Sequence, residues 1–148
     1  MSNISMRPVQ LDDVARARAK EVMAYAAAHR ESLTDLRNRL ASGMPMKNPE
    51  AFMFEVQVGY SVAYTIEQRD RGWVQHISIF QATPRIMPHP PVVAQILTEL
   101  FDIKPTKAVP ANGRSSGVLG EALKVEQQTL PNGCLALDLF YPFVFPTP

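Results

Sequence analysis

From residue 52 to residue 66 every even-numbered position is apolar or aromatic: Phe52, Phe54, Val56, Val58, Tyr60, Val62, Tyr64 and Ile66. Alternate residues share a side only in an extended chain, so this ribbon specifies β structure with one buried face. A strand of that length would run about 50 Å, against a usual length of about 5 to 6 residues, so the ribbon must be interrupted. Gly59 is the natural place, which leaves two strand segments or one sharply bent strand. The even face is expected to be the wall on which the main helices pack. The odd face carries Glu55, Gln57, Ser61, Thr65 and Glu67, and is either ordinary wet surface or the floor of a site.

The segment QRDRGW turns the chain, and residues 73–80 return as the second arm of a hairpin. A four-residue loop sets Gln68 opposite Trp73 and His76 opposite Thr65, gathering Glu67, Thr65, His76 and Ser78 on the odd face. A three-residue DRG turn with Gly72 left-handed slips the register by one and sends His76 and Ser78 to the apolar face. Turn chemistry favours the second arrangement. Burial favours the first, because the slip scatters apolar residues over both faces.

Over residues 10–42, Ala15, Ala19, Val22, Ala26, His29, Leu33, Leu36 and Leu40 recur at spacings of three and four, the pattern of one helical face. Asp12 or Asp13 suits the first turn, Gly43 and Pro45 suit the end, and Ser32 with Asp35 can cap a second helix, so one long helix or a hinged pair is expected. A self-paired coiled coil is disfavoured because Arg16, Arg30 and Arg37 on one flank and Arg18 and Arg39 on the other set like charges together. The helix is expected to pack on its own sheet or on an acidic partner. Residues 91–101 form a second amphipathic helix with Val92, Val93, Ile96, Leu97, Leu100 and Phe101 on one face and Pro91 at its start. Residues 102–117 read as a long loop, a short helix is expected over 117–123, and KVEQQTL, PNG and CLALDLF make a second hairpin. The order of elements argues for α+β: an antiparallel sheet built from two hairpins, packed against a long N-terminal helix or helix pair and a second amphipathic helix, in one domain spanning residues 1–148.

Fifteen Lys and Arg against fourteen Asp and Glu leave a net charge of +1, so no overall field draws the chain to nucleic acid or to an anionic membrane. No apolar run reaches the roughly 20 residues of a membrane helix. MSNISMRPVQ lacks the sections of a secretory signal and Cys134 has no cysteine to pair with, so a soluble cytoplasmic protein is expected.

Chemistry is sparse. Ser78 and His76 stand two apart on a strand, about 7 Å, too far for the hydrogen bond that activates a serine. His29, His76 and His89 share no ligand spacing, so no metal site and no cofactor are expected. The candidate catalytic group is His76 with Glu67 and Thr65, in which a carboxylate orients an imidazole; its structural counterpart is a strand histidine bonded to its neighbours. Arg85, and the loop residues Arg114, Ser115 and Ser116 between Gly113 and Gly117, are candidate anion ligands, without the spacing of a phosphate loop. Phe140, Tyr141, Phe143 and Phe145 form an aromatic tail that either covers the core or meets a partner. With no convincing nucleophile, metal shell or cofactor loop, the chain reads as a small non-catalytic α+β protein acting through a binding surface. Its partner is expected to be a protein or a second copy in a homodimer, rather than nucleic acid or a membrane. The alternative is a small-molecule or anion-binding protein, or an enzyme, with its site around His76.

Overall fold

A computed structural model of the chain describes residues 11, 13–46, 48–57, 59–70, 72–104 and 122–145. Three helices, α1 (Asp13–His29), α2 (Leu33–Ala41) and α3 (Pro90–Phe101), accompany five strands, β1 (Met53–Gln57), β2 (Tyr60–Arg69), β3 (Gly72–Gln81), β4 (Lys124–Thr129) and β5 (Leu135–Pro142). The strands form one antiparallel sheet in the order β1-β2-β3-β5-β4. This is the α+β architecture that the alternation of periods implies. Residues 105–121, on which the expected loop and most of the expected short helix fall, lie outside the described residues. No helix among the described residues is long and apolar enough to cross a membrane.

The long ribbon is two strand segments, β1 and β2, as expected, and the two pair antiparallel as a hairpin. It folds back at Gly59, whose φ of 88° suits a residue without a Cβ. Gln57 pairs with Tyr60, but from Glu55 onward the register has shifted, to Glu55 with Ser61 and Phe54 with Val62. That bulge keeps even-numbered residues of both arms on one face, which is why the alternation runs unbroken through the turn.

Next, β2 and β3 pair Thr65 with His76, Tyr64 with Ile77 and Val62 with Ile79. Burial pattern decides this register, and turn chemistry no longer opposes it. Gly72 does have a positive φ, of 122°, but it is already paired with Arg69 and so begins β3.

One face of the sheet, with Val62, Tyr64, Ile66, Ile77, Ile79 and Leu139, packs against α1 and α3 in a single apolar cluster. The buried residues of α3 are the six of its expected stripe. On α1 they are Ala15, Ala19, Val22 and Ala26, small enough to bring helix and sheet close together.

The three-four spacing beyond Ala26 is not one helical face. Helix α1 ends at Arg30, which is left-handed (φ 55°), and its guanidinium lies over the rings of Trp73 and Phe145. Ser32 then caps α2, its Oγ accepting from the Asp35 N–H at 3.4 Å. Leu33 and Leu36 pack with Phe52 and Ala63 in a second cluster, on the opposite side of the sheet. His29 is exposed and stacks on Tyr25, and Leu40 is 38% exposed. Phe52, preceded by a 3₁₀ turn at Pro49–Ala51, also leaves the expected wall and joins the second cluster.

Candidate functional site

Beneath α2 lies the odd face of the hairpin, where Thr65, Glu67, His76, Ser78 and Asp138 are all buried. Strand pairing brings them together: His76 sits opposite Thr65 on one side and Phe140 on the other, and Ser78 sits opposite Ala63 and Asp138.

The imidazole of His76 lies between two carboxylates. Its Nδ1 is 3.1 Å from Glu67 Oε1 and its Nε2 is 3.0 Å from Asp138 Oδ2. An ionised carboxylate only accepts, so both nitrogens donate and the ring is an imidazolium. Glu67 Oε1 also accepts from Thr65 Oγ1 at 3.0 Å and from the Leu33 N–H at 3.3 Å, while Oε2 accepts from Arg69 Nε at 3.1 Å. Asp138 takes a fork from Arg37 at 2.9 and 3.2 Å, and Oδ1 accepts from Ser78 Oγ at 2.7 Å. Arg37 donates to Ser78 Oγ as well. The guanidinium of Arg69 lies over Phe140, 4.3 Å from the ring centroid, and the His76 ring is 4.1 Å from the same centroid.

These contacts set the protonation states. Burial by itself would raise the carboxylates, but the His76 hydrogen bond and charge, then Leu33 and Thr65, pull Glu67 down to about 2. For Asp138 burial is likewise outweighed, by His76, Arg37 and Ser78, and its carboxyl falls well below the ordinary range. Burial would lower His76, yet the hydrogen bonds to Asp138 and Glu67 and the two negative charges carry it above its ordinary value. A protonated imidazole with both N–H groups spent has no lone pair for a general base. The Ser78 hydroxyl donates to Asp138 and not to His76, and that carboxylate is already engaged by Arg37 and the imidazolium.

A cavity of about 290 Å³ opens between α2 and the β4–β5 hairpin. Asp138, His76 and Phe140 line it, with Arg37 from α2, Arg69 from the end of β2 and Glu126 from β4.

Of the residues singled out in the sequence, Glu67, Thr65 and His76 come together. Arg85 stands apart, in a left-handed conformation (φ 65°) past the end of β3, where its N–H donates to Gly133 O at 3.0 Å. Arg114, Ser115 and Ser116 lie outside the described residues. Phe140 and Tyr141 are buried, Phe140 on the side of the polar cluster and Tyr141 on the side of the main core; Phe143 and Phe145 are half-buried, Phe145 edge-on to Trp73. Asp138, Arg37 and Arg69 escaped the sequence reading. The available signal was Asp138, a lone acid between Leu137 and Leu139 in a strand otherwise apolar.

Among the described residues no group of three or more His, Cys, Asp or Glu could hold a metal ion, and Glu67 and Asp138 bind opposite ends of the imidazole instead of converging. Comparison of the chain with protein-family models, with curated proteins and with solved structures finds no match.

Proposed function

We propose that this is a non-catalytic protein that works through a binding surface, and that the surface is the outer edge of β4, paired with the same edge of a second copy. The supporting observation is the state of that edge. The other edge strand, β1, has five residues and is broken by its bulge, two devices that discourage pairing. In contrast, β4 has six residues in unbroken register with β5 and contains neither Pro nor Gly. Leu130 N–H donates to Cys134 O at the hairpin end, and the alternation from that bond points the N–H and C=O groups of Val125, Gln127 and Thr129 away from the sheet. Beside them Leu123 is 57% exposed and Val125 42%.

Two-fold symmetry selects a register. In an antiparallel pair centred on Val125, the valine faces its own copy and Lys124 of each chain faces Glu126 of the other. Lys124 Nζ and Glu126 Oε2 already lie 3.0 Å apart within one strand, so the pair would build a four-charge cluster of alternating sign over a Leu123 and Val125 seam. The polar cluster around His76 fits the same reading: both imidazole N–H groups are spent on Glu67 and Asp138, and the bonds from the Leu33 N–H to Glu67 and from Arg37 to Asp138 hold α2 on the sheet.

Light scattering tests this. The expected mass is twice the 16.5 kDa of the chain, and Val125→Lys, which sets two like charges face to face, is expected to return it to a monomer. A monomeric wild type at about 100 μM, a concentration at which even micromolar pairs form, would overturn the proposal. So would a Val125→Lys variant that remains dimeric.

A further inference from the structure

The charges around the cavity do not cancel. Arg37, Arg69 and His76 face two carboxylates, Glu67 and Asp138, while the remaining acid on the wall, Glu126, is neutralised by Lys124. One positive charge is left over beside a half-enclosed space. Nor are the cations used up. Among the described residues the bonds from Arg37 to Asp138 and Ser78 take three of its five N–H donors, and Arg69 turns only Nε and one terminal nitrogen to Glu67. Both guanidinium groups remain partly open, with side chains 23% and 38% exposed, so the unspent donors are within reach of a ligand.

We infer that this cavity is a binding site for a small organic monocarboxylate. The single excess charge matches a monoanion, and the terminal N–H pair that Arg69 keeps beyond its contact with Glu67 suits a carboxylate, with the unspent N–H groups of Arg37 on the same wall. Phe140, Leu130, Pro131 and Ala41 on the same lining give an apolar body somewhere to lie. The volume of about 290 Å³ is at the small end for ligand sites and suits a short acid. The site is independent of pairing through β4, because its donors come from α2 and β2.

The test is an NMR titration of the full chain with butyrate, with 1-butanol as the uncharged match and inorganic phosphate as the competing anion. Butyrate is expected to shift the Phe140 and His76 ring signals saturably, with butanol at least about tenfold weaker, as loss of one charge-assisted contact implies. Arg69→Gln is expected to weaken butyrate about tenfold or more. Since Arg69 also holds Glu67, Gln128→Trp provides the second variant: it fills the cavity from the half-exposed β4 without touching a charge, and should abolish the shifts while leaving the thermal midpoint in place. No saturable shift up to about 100 mM butyrate, above the weakest useful affinities, overturns the inference. Equal binding of butanol, or phosphate binding without butyrate, overturns it too, as does a well-folded Gln128→Trp variant that still binds.

Discussion

At His76 the fold has made one protonation state much the better of two. Removing the proton leaves Glu67 and Asp138 each facing a nitrogen, only one of which can still donate. Because the folded-state pKa lies above the ordinary 6.5, folding takes up a proton, so the stabilisation is complete below about pH 6.5 and is lost as pH rises through the folded value. The carboxylates act in the other direction. Lowered from 4.5 and 3.8, they stabilise the fold above those values and lose that contribution as pH falls towards their folded ones. Denaturant unfolding followed over pH should therefore show a maximum between about pH 5 and 6.5, with an alkaline limb no steeper than about 1.4 kcal/mol per pH unit from this one group. His76→Gln should flatten that limb, and a wild type whose stability is unchanged from pH 6.5 to 9 would show that the ring is not an imidazolium. His76→Ala should cost about 3–5 kcal/mol, since it removes from each of two buried carboxylates the cation between them and leaves Glu67 with Arg69 and Asp138 with Arg37 alone.

At the scale of elements, α2 is where the sequence misleads. Leu33, Leu36 and Leu40 continue the spacing of the alanines before them, and periodicity cannot reveal that a left-handed Arg30 has sent them across the sheet. Mutation separates the readings. Leu33→Ala should cost about 2–5 kcal/mol and Leu40→Ala no more than about 0.5, whereas one continuous seam would make the two comparable. The ribbon shows the converse. Its alternation was legible, and so was Gly59 as its breaking point, but the turn was not, because a one-residue bulge preserves parity and a reversed chain then has the same pattern as a straight one. A Cβ at Gly59 would meet nothing within 4 Å, so Gly59→Ala should lose about 1–2 kcal/mol through backbone conformation alone, measured as a lower denaturant midpoint. Of the polar cluster, Glu67, Thr65 and His76 could be read from hairpin register. Asp138 and Arg37 could not, because Asp138 reaches His76 from β5 and Arg37 reaches Asp138 from α2, and neither the position of β5 beside β3 nor the crossing of α2 is encoded in local pattern.

The whole molecule has two unlike sheet edges, and the difference bears on how its stability should depend on concentration. Pairing through β4 would join two five-stranded sheets into one and bury Leu123 and Val125, which belong to a single chain's surface. A species that binds only the folded state raises the unfolding temperature by mass action, and here that species is the protein itself. The thermal midpoint of the wild type should therefore rise as the concentration is taken from below the dissociation constant to well above it. Val125→Lys should abolish the dependence yet change the dilute midpoint little, because Val125 lies at the rim of its own core and not within it. A concentration-dependent midpoint that survives this variant would place the contact elsewhere, with the open odd face beside Met53 and Phe80 next in line. A midpoint flat from the start would leave β4 as an edge protected only by its alternating charges, Lys124 and Glu126.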